Sequence, residues 1–110
     1  MHRVNFFIRY SGLHKHLIDI RAASKGLGAK ETVQERKSVI LIELAKRRDP
    51  DLIQKLKKIR LTENTKCELW ISIFTSHDIE VFEIPKHILE VEKLLSAPIV
   101  VSLTYMVSTQ

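Results

Sequence analysis

The chain has 110 residues, of which 45% are hydrophobic and 28% charged, a balance that fits one folded domain and excludes a disordered chain. The formal net charge is +5 but it is uneven: residues 1–66 hold 16 Lys/Arg against 7 Asp/Glu (+9), and residues 67–110 hold 2 against 6 (−4). This asymmetry predicts a basic surface that meets phosphates or an acidic protein, unless the two halves neutralise each other.

The only cysteine, Cys67, excludes an intrachain disulfide and a multi-cysteine metal site. Its place within a predicted strand indicates a buried thiol, which suits a reducing compartment. No run of the sequence reaches the roughly 18 apolar residues of a membrane-spanning helix, and the N-terminal stretch lacks the pattern of a signal peptide. We therefore expect a soluble cytoplasmic protein of one domain, residues 1–110, without a cofactor.

The first elements in chain order are a strand and a helix. Apolar residues alternate with polar ones over 3–10, which predicts a strand. Ser11 can cap a helix through "GLHKHLIDIRAAS", and Gly26 and Gly28 are typical of the residues that end a helix.

The stretch 33–48 can be interpreted in two ways. The Thr32-x-x-Glu35 spacing of a capping box and the helix-forming "ELAK" favour a helix, whereas "VILI" alone could be a buried strand. We take the helix as the prediction. If residues 38–45 form a strand instead, the sheet gains a member and the argument for an open sheet face weakens.

The second half of the chain has clearer boundaries. Asp49-Pro50 has the residue types of a helix cap and first helical position, and predicts a helix that ends before "TENT". Strands are predicted over 66–75 and 79–84 around an "SHD" turn. A short helix follows from Pro85, and "PIVVSLTYMV" predicts a closing strand.

This order of elements is that of an α+β ferredoxin-like, split β-α-β sandwich with an enlarged first crossover. Its sheet has four mostly antiparallel strands, and its helices cover one face only. The predicted core face of the sheet is formed by the apolar rows of three strands: Val4, Phe6, Ile8, Leu69, Ile71, Ile73, Ile99, Val101 and Leu103.

The opposite face of the predicted sheet carries aromatic and basic side chains. Phe7, Trp70 and Phe74 are expected there, with Arg3 and Arg9 at their rim. Such residue types are enriched in the centres of protein interfaces. We therefore expect a non-enzymatic protein that acts by protein–protein contact through this face, as a homodimer or as an inhibitor- or immunity-like partner of an acidic protein.

Two alternatives remain for the same face. The architecture resembles that of RNA-recognition-motif domains, whose sheet aromatics stack unpaired bases, although their glycine-containing consensus string is absent. A nucleic-acid binder would add basic residues from the predicted helices: Lys46, Arg47, Arg48, Lys55, Lys57, Lys58 and Arg60. In the other alternative, the long crossover or the chain end folds over the face and covers it.

The sequence carries few signs of catalysis. It contains neither the phosphate-binding glycine motifs nor the nucleophile elbow of hydrolases. His14 and His16 lie two residues apart, a spacing at which helical side chains point away from each other, so we expect no metal site there. A small metal-free nuclease using His77 and a lysine is the one enzymatic alternative.

Overall fold

Five strands and three α-helices form the part of the chain that the computed structural model describes, which is residues 2–45, 49–59, 61, 63–75 and 83–105. In chain order they are β1 (His2–Leu13), a 3₁₀ turn (His14–Leu17), α1 (Ile18–Ala23), β2 (Lys30–Gln34), β3 (Lys37–Leu44), α2 (Pro50–Lys57), β4 (Thr65–Thr75), α3 (Lys86–Leu95) and β5 (Ile99–Tyr105).

The described strands form one open mixed sheet in the order β2-β3-β1-β4-β5. The central strand β1 is antiparallel to both β3 and β4, β2 is antiparallel to β3, and β5 is parallel to β4. The fold is therefore α+β, as predicted. The finer ferredoxin-like topology is not confirmed, because the sheet has five strands and its first crossover contributes two of them.

The helix predicted over 33–48 is wrong over 33–45, and its last residues, 46–48, lie outside the described part of the chain. Residues of this stretch form the β2–β3 hairpin, whose turn contains Glu35 in a left-handed conformation (φ 59°). Along β3, buried side chains at Ser38, Ile40 and Ile42 alternate with more exposed neighbours, which is the period of a strand. Pairing of β3 with Phe6–Leu13 of β1 outweighs the local helix preference of this segment.

The segment after the first strand also differs from the prediction. β1 continues to Leu13, so Ser11 lies inside the strand and does not cap a helix. The predicted helix is reduced to a 3₁₀ turn and the six residues of α1. The glycines that follow do adopt positive φ angles, 87° at Gly26 and 71° at Gly28, as expected after a helix end.

The two later helices are confirmed. The side chain of Asp49 caps α2 by accepting a hydrogen bond from the backbone N–H of Leu52 at 3.2 Å, and Pro50 occupies the first helical position. In α3, which runs from Lys86 to Leu95, Ile88 and Val91 are buried.

The hairpin partner predicted for β4 is not found in the described residues. Most of the predicted strand 79–84 lies outside them, and Glu83 and Ile84 have no regular secondary structure. From Leu69 to Thr75, β4 already pairs with β1 on one edge and with β5 on the other.

The core lies between the sheet and a single layer of helices. Ile8 and Tyr10 of β1 belong to one buried cluster with side chains from all three helices and from β3 and β4. Cys67 is buried with them, as predicted. One part of the predicted core is wrong: Ile99, Val101 and Leu103 of β5 are 43%, 54% and 63% exposed, because β5 is the edge strand.

None of the described helices is both long enough and apolar enough to span a bilayer.

Candidate functional site

The candidate site is the sheet face opposite the helices, which we call the aromatic face after Phe7, Trp70, Phe74, Arg3 and Arg9. The register of β1 and β4 places Phe7 directly opposite Trp70 and Arg3 directly opposite Phe74. Because side chains alternate along a strand, these residues point away from the core that holds Ile8 and Tyr10. The structure thus places all five predicted residues on one face.

Arg9 and Trp70 form the centre of the aromatic face. The guanidinium carbon of Arg9 lies 5.1 Å from the centroid of the Trp70 ring, within cation–π distance. The same guanidinium donates to Glu68 at 2.8 Å, and at a longer 3.4 Å to the hydroxyl of Ser11. Glu68 therefore fixes Arg9 over the indole, and these side chains keep one arrangement without a ligand.

The indole N–H of Trp70 is buried and has no hydrogen-bond acceptor among the described residues. A buried donor without an acceptor is costly in a folded protein, by about 1–3 kcal/mol. Phe7, the cross-strand neighbour of Trp70, is half-buried and carries no hydrogen-bond acceptor in its side chain.

Phe74 and Arg3 form a second patch on the same face. The pair Asn5 and Ser72 lies between them and the Phe7–Trp70 pair. Four residues along a strand span about 13 Å, so one compact ligand group cannot contact both patches. Phe74 is 36% exposed and opens this patch to solvent.

Sequence reasoning missed the contribution of β3 to this face. Val39 and Leu41 are half-buried beside Ser11 and Arg9 of β1, on the side away from the core. The signal was present in the alternation along β3, but the helix prediction for this stretch concealed it. The added strand widens the face rather than covering it.

A groove of about 540 Å³ runs beside Trp70 at one end of the aromatic face. Lys37 of β3 and Lys66 of β4 line it, together with the ion pair of Arg9 and Glu68. The two lysines beside this open groove favour an acidic group as its occupant.

The described residues give the aromatic face a positive net charge. The strand registers place five basic and two acidic side chains on it, a net of +3: Arg3, Arg9, Lys30, Lys37 and Lys66 against Glu43 and Glu68. The basic surface predicted from the composition is therefore present here.

The basic helix predicted as a nucleic-acid contact lies on the other side of the sheet. Ile53 and Leu56 bury α2 in the core, and Lys55, Lys57 and Lys58 are exposed on its outer surface. The structure does not bring these lysines together with Trp70. Lys46, Arg47, Arg48 and Arg60, the other residues of that prediction, lie outside the described residues.

The histidines take structural positions in the described part of the chain. Nδ1 of His14 lies 2.8 Å from the hydroxyl of Ser38 and 3.0 Å from a guanidinium nitrogen of Arg21, which can only donate. Arg21 forms a bidentate ion pair with Glu31, and its hydrogen bonds hold the pKa of the Glu31 carboxyl below its usual range. This network joins α1 to the β2–β3 hairpin.

Other histidines also lack a ligand-like setting. Nε2 of His87 donates to the carbonyl oxygen of Ala45 at 2.9 Å, which ties the start of α3 to the end of β3. His77 lies outside the described residues. Among the described residues, no three His, Cys, Asp or Glu side chains are grouped to hold a metal ion.

Cys67 lies in the core and faces Tyr10 across the β1–β4 ladder. Burial raises the pKa of the Cys67 thiol to about 11, and it also raises the pKa of the Tyr10 hydroxyl. A thiol that stays protonated at neutral pH is a poor nucleophile. Cys67 therefore contributes packing rather than chemistry.

No protein-family model matches this chain, and neither the curated proteins nor the solved structures give a match.

Proposed function

We propose that this is a non-enzymatic binding protein of the cytoplasm that holds an acidic protein partner on its aromatic face. One observation carries the proposal: half-exposed aromatic side chains lie within a basic rim, on the sheet face opposite the helices. Apolar area that remains accessible on a small domain marks an interaction surface. The buried, unpaired Cys67 supports the cytoplasmic setting.

The state of Trp70 favours a protein over a nucleic acid. A stacked base needs a free ring face, but Arg9 already lies over one face of the indole and Glu68 holds it there. The exposed lysines of α2 are separated from Trp70 by the thickness of the sheet.

The charge of the face favours an acidic partner over a second copy. Two copies packed face to face would bring together two surfaces of net +3, and juxtaposed like charges oppose association. An acidic protein can place a carboxylate in the groove between Lys37 and Lys66 and an apolar side chain on Phe7. The proposal needs only helices on one face of the sheet, so it does not depend on a ferredoxin-like strand order.

Affinity capture with matched variants tests this proposal. Wild type, Trp70→Ala and Val33→Ala would each be immobilised and exposed to a nuclease-treated lysate of the cells that make the protein. Val33 is 54% exposed on the edge strand β2 and points to the helix side of the sheet, so it is a control away from the aromatic face. We expect a protein that wild type and Val33→Ala retain, and whose affinity falls at least about 30-fold with Trp70→Ala.

Two results would overturn the proposal. One is a captured protein that Trp70→Ala retains as well as wild type does. The other is capture from an untreated lysate that is absent from the nuclease-treated lysate, which would favour the nucleic-acid alternative. Circular dichroism of each variant establishes that the fold is intact.

A further inference from the structure

The two edges of the sheet differ in chemistry. All five residues of β2 are exposed, and Lys30 and Glu31 place charges along that edge. Charged side chains on an edge strand prevent further strand pairing. The other edge strand, β5, has the sequence IVVSLTY and carries no charge. An uncharged edge is open to pairing with another strand.

The backbone groups on the outer edge of β5 can be identified. The backbone N–H of Leu69 in β4 donates to the carbonyl of Pro98 at 2.9 Å. In a parallel ladder, every second residue turns both its N–H and its C=O toward the neighbouring strand. Val100 and Ser102 therefore bond toward β4, whereas Ile99, Val101 and Leu103 turn their backbone groups outward. Within the described part of the chain, no strand lies beyond this edge.

The same three residues expose their side chains. Ile99, Val101 and Leu103 form an aliphatic row on the helix side of the sheet, and their exposed fractions rise from 43% to 63% along the strand. Free backbone donors and acceptors thus coincide with exposed apolar area. A second uncharged strand with an aliphatic row would pair with the free backbone groups and cover the exposed apolar area.

We propose that β5 pairs with β5 of a second copy and joins the two sheets into one. A two-fold interface requires a surface that is complementary to itself. The β5 edge meets this condition because it is uncharged, whereas the charged aromatic face and the charged β2 edge do not. This homodimer leaves the aromatic face of each copy free.

One antiparallel register pairs all seven residues of β5 with β5 of the second copy. With Ser102 at the two-fold axis, Val101 lies opposite Leu103 of the other copy, and the two aliphatic rows meet on the helix side. The outward backbone groups of these two residues then exchange hydrogen bonds across the axis. The axis itself passes between two copies of Ser102.

Sedimentation velocity on the full chain, from about 1 μM to about 1 mM, tests for the dimer. We expect a shift from monomer to dimer in the wild type, no dimer with Val101→Lys, and an unchanged dimer with Val33→Lys. The two valines make a matched pair, because each is 54% exposed on the helix side of an edge strand. A chain that stays monomeric, or a dimer that Val101→Lys leaves intact, would overturn the proposal.

A cysteine at the axis tests the register. Residues opposed across antiparallel strands have Cα atoms about 4.5–5.5 Å apart, within the range that a disulfide bridges. Ser102→Cys should give a covalent dimer on mild oxidation, and Thr32→Cys on β2 should not. A dimer that forms without this cross-link contradicts the proposed pairing, and a dimer that Trp70→Ala abolishes assigns the contact to the aromatic face instead.

Discussion

The two faces of the sheet are formed by the same strands but carry different kinds of side chain. On β1, Ile8 and Tyr10 are fully buried beneath the helices, whereas their chain neighbours Phe7 and Arg9 are partly exposed on the aromatic face. The helix-covered face holds aliphatic side chains packed by three helices. The aromatic face holds rings, guanidinium groups and lysines without a covering helix among the described residues. Stability and the proposed binding should therefore be separable by substitutions one residue apart.

The largest expected effect compares Ile8→Ala with Phe7→Ala. Ile8 is completely buried, so its truncation removes apolar contacts and leaves a cavity, which costs about 2–5 kcal/mol of unfolding free energy. Phe7 is half-buried on the aromatic face, and its truncation should cost about 1 kcal/mol or less. Urea unfolding measures both. Equal losses would show that the aromatic face carries as much of the stability as the core does.

The second effect is a loss of stability in alkali that originates on the helix-covered face. The pKa of Cys67 is about 11 in the folded protein against an ordinary 9.0, so the unfolded chain loses this proton first as the pH rises. The contribution of this thiol to stability should be constant below about pH 9 and should fall between about pH 9 and pH 11, by roughly 1–2 kcal/mol. Tyr10, whose pKa is also raised by burial, extends the decline to higher pH.

Urea unfolding of wild type and Cys67→Ala at pH 8 and pH 11 separates the two contributions. The stability difference between the two pH values should be smaller in the variant, because the contribution of the Cys67 thiol is then absent. A thiol reagent at pH 8 should modify Cys67 far more slowly in the folded than in the unfolded protein. Equal rates would mean that Cys67 is not enclosed by the core.

How far the sequence predicted this fold depends on whether its signals were local. Asp49-Pro50 specifies a helix start through its own side chain and its missing N–H, so α2 was predicted correctly. The period of two in 66–75 identified β4 and the face that carries Trp70. In contrast, the helix preference of 33–48 was local, but the outcome depended on pairing with β1, which is distant in the chain.

The candidate site, like the fold, was predictable only where its signals were local. Strand alternation was enough to place Phe7 and Trp70 on one face, but only the register shows that they lie directly opposite each other. The ion pair of Arg9 with Glu68 joins residues 59 positions apart, and no spacing in the sequence indicates it. The exposure of β5 depended on strand order, since the same aliphatic row would be buried in a central strand.

The smallest expected effect concerns the ion pair between Arg21 and Glu31, which lies away from the centre of either sheet face. Both side chains are partly exposed, so Arg21→Ala should cost less than about 1 kcal/mol at neutral pH. The hydrogen bonds from Arg21 lower the pKa of Glu31, so the contribution exists at neutral pH and is lost as the pH falls through that lowered value. Urea unfolding at pH 7 and in acid measures the difference. A larger cost would mean that the network with His14 and Ser38 supports the hairpin cooperatively.

The most direct test of binding through the aromatic face uses the single tryptophan of the chain. Trp70 emission would be followed while the captured acidic protein is added at low and high salt, with a single-stranded RNA pool and simple dilution as parallel samples. We predict that the protein partner shifts the emission, that salt weakens this binding, and that RNA and dilution leave the emission unchanged. A partner that binds without changing Trp70 emission, or an RNA pool that changes it, would contradict the proposed function.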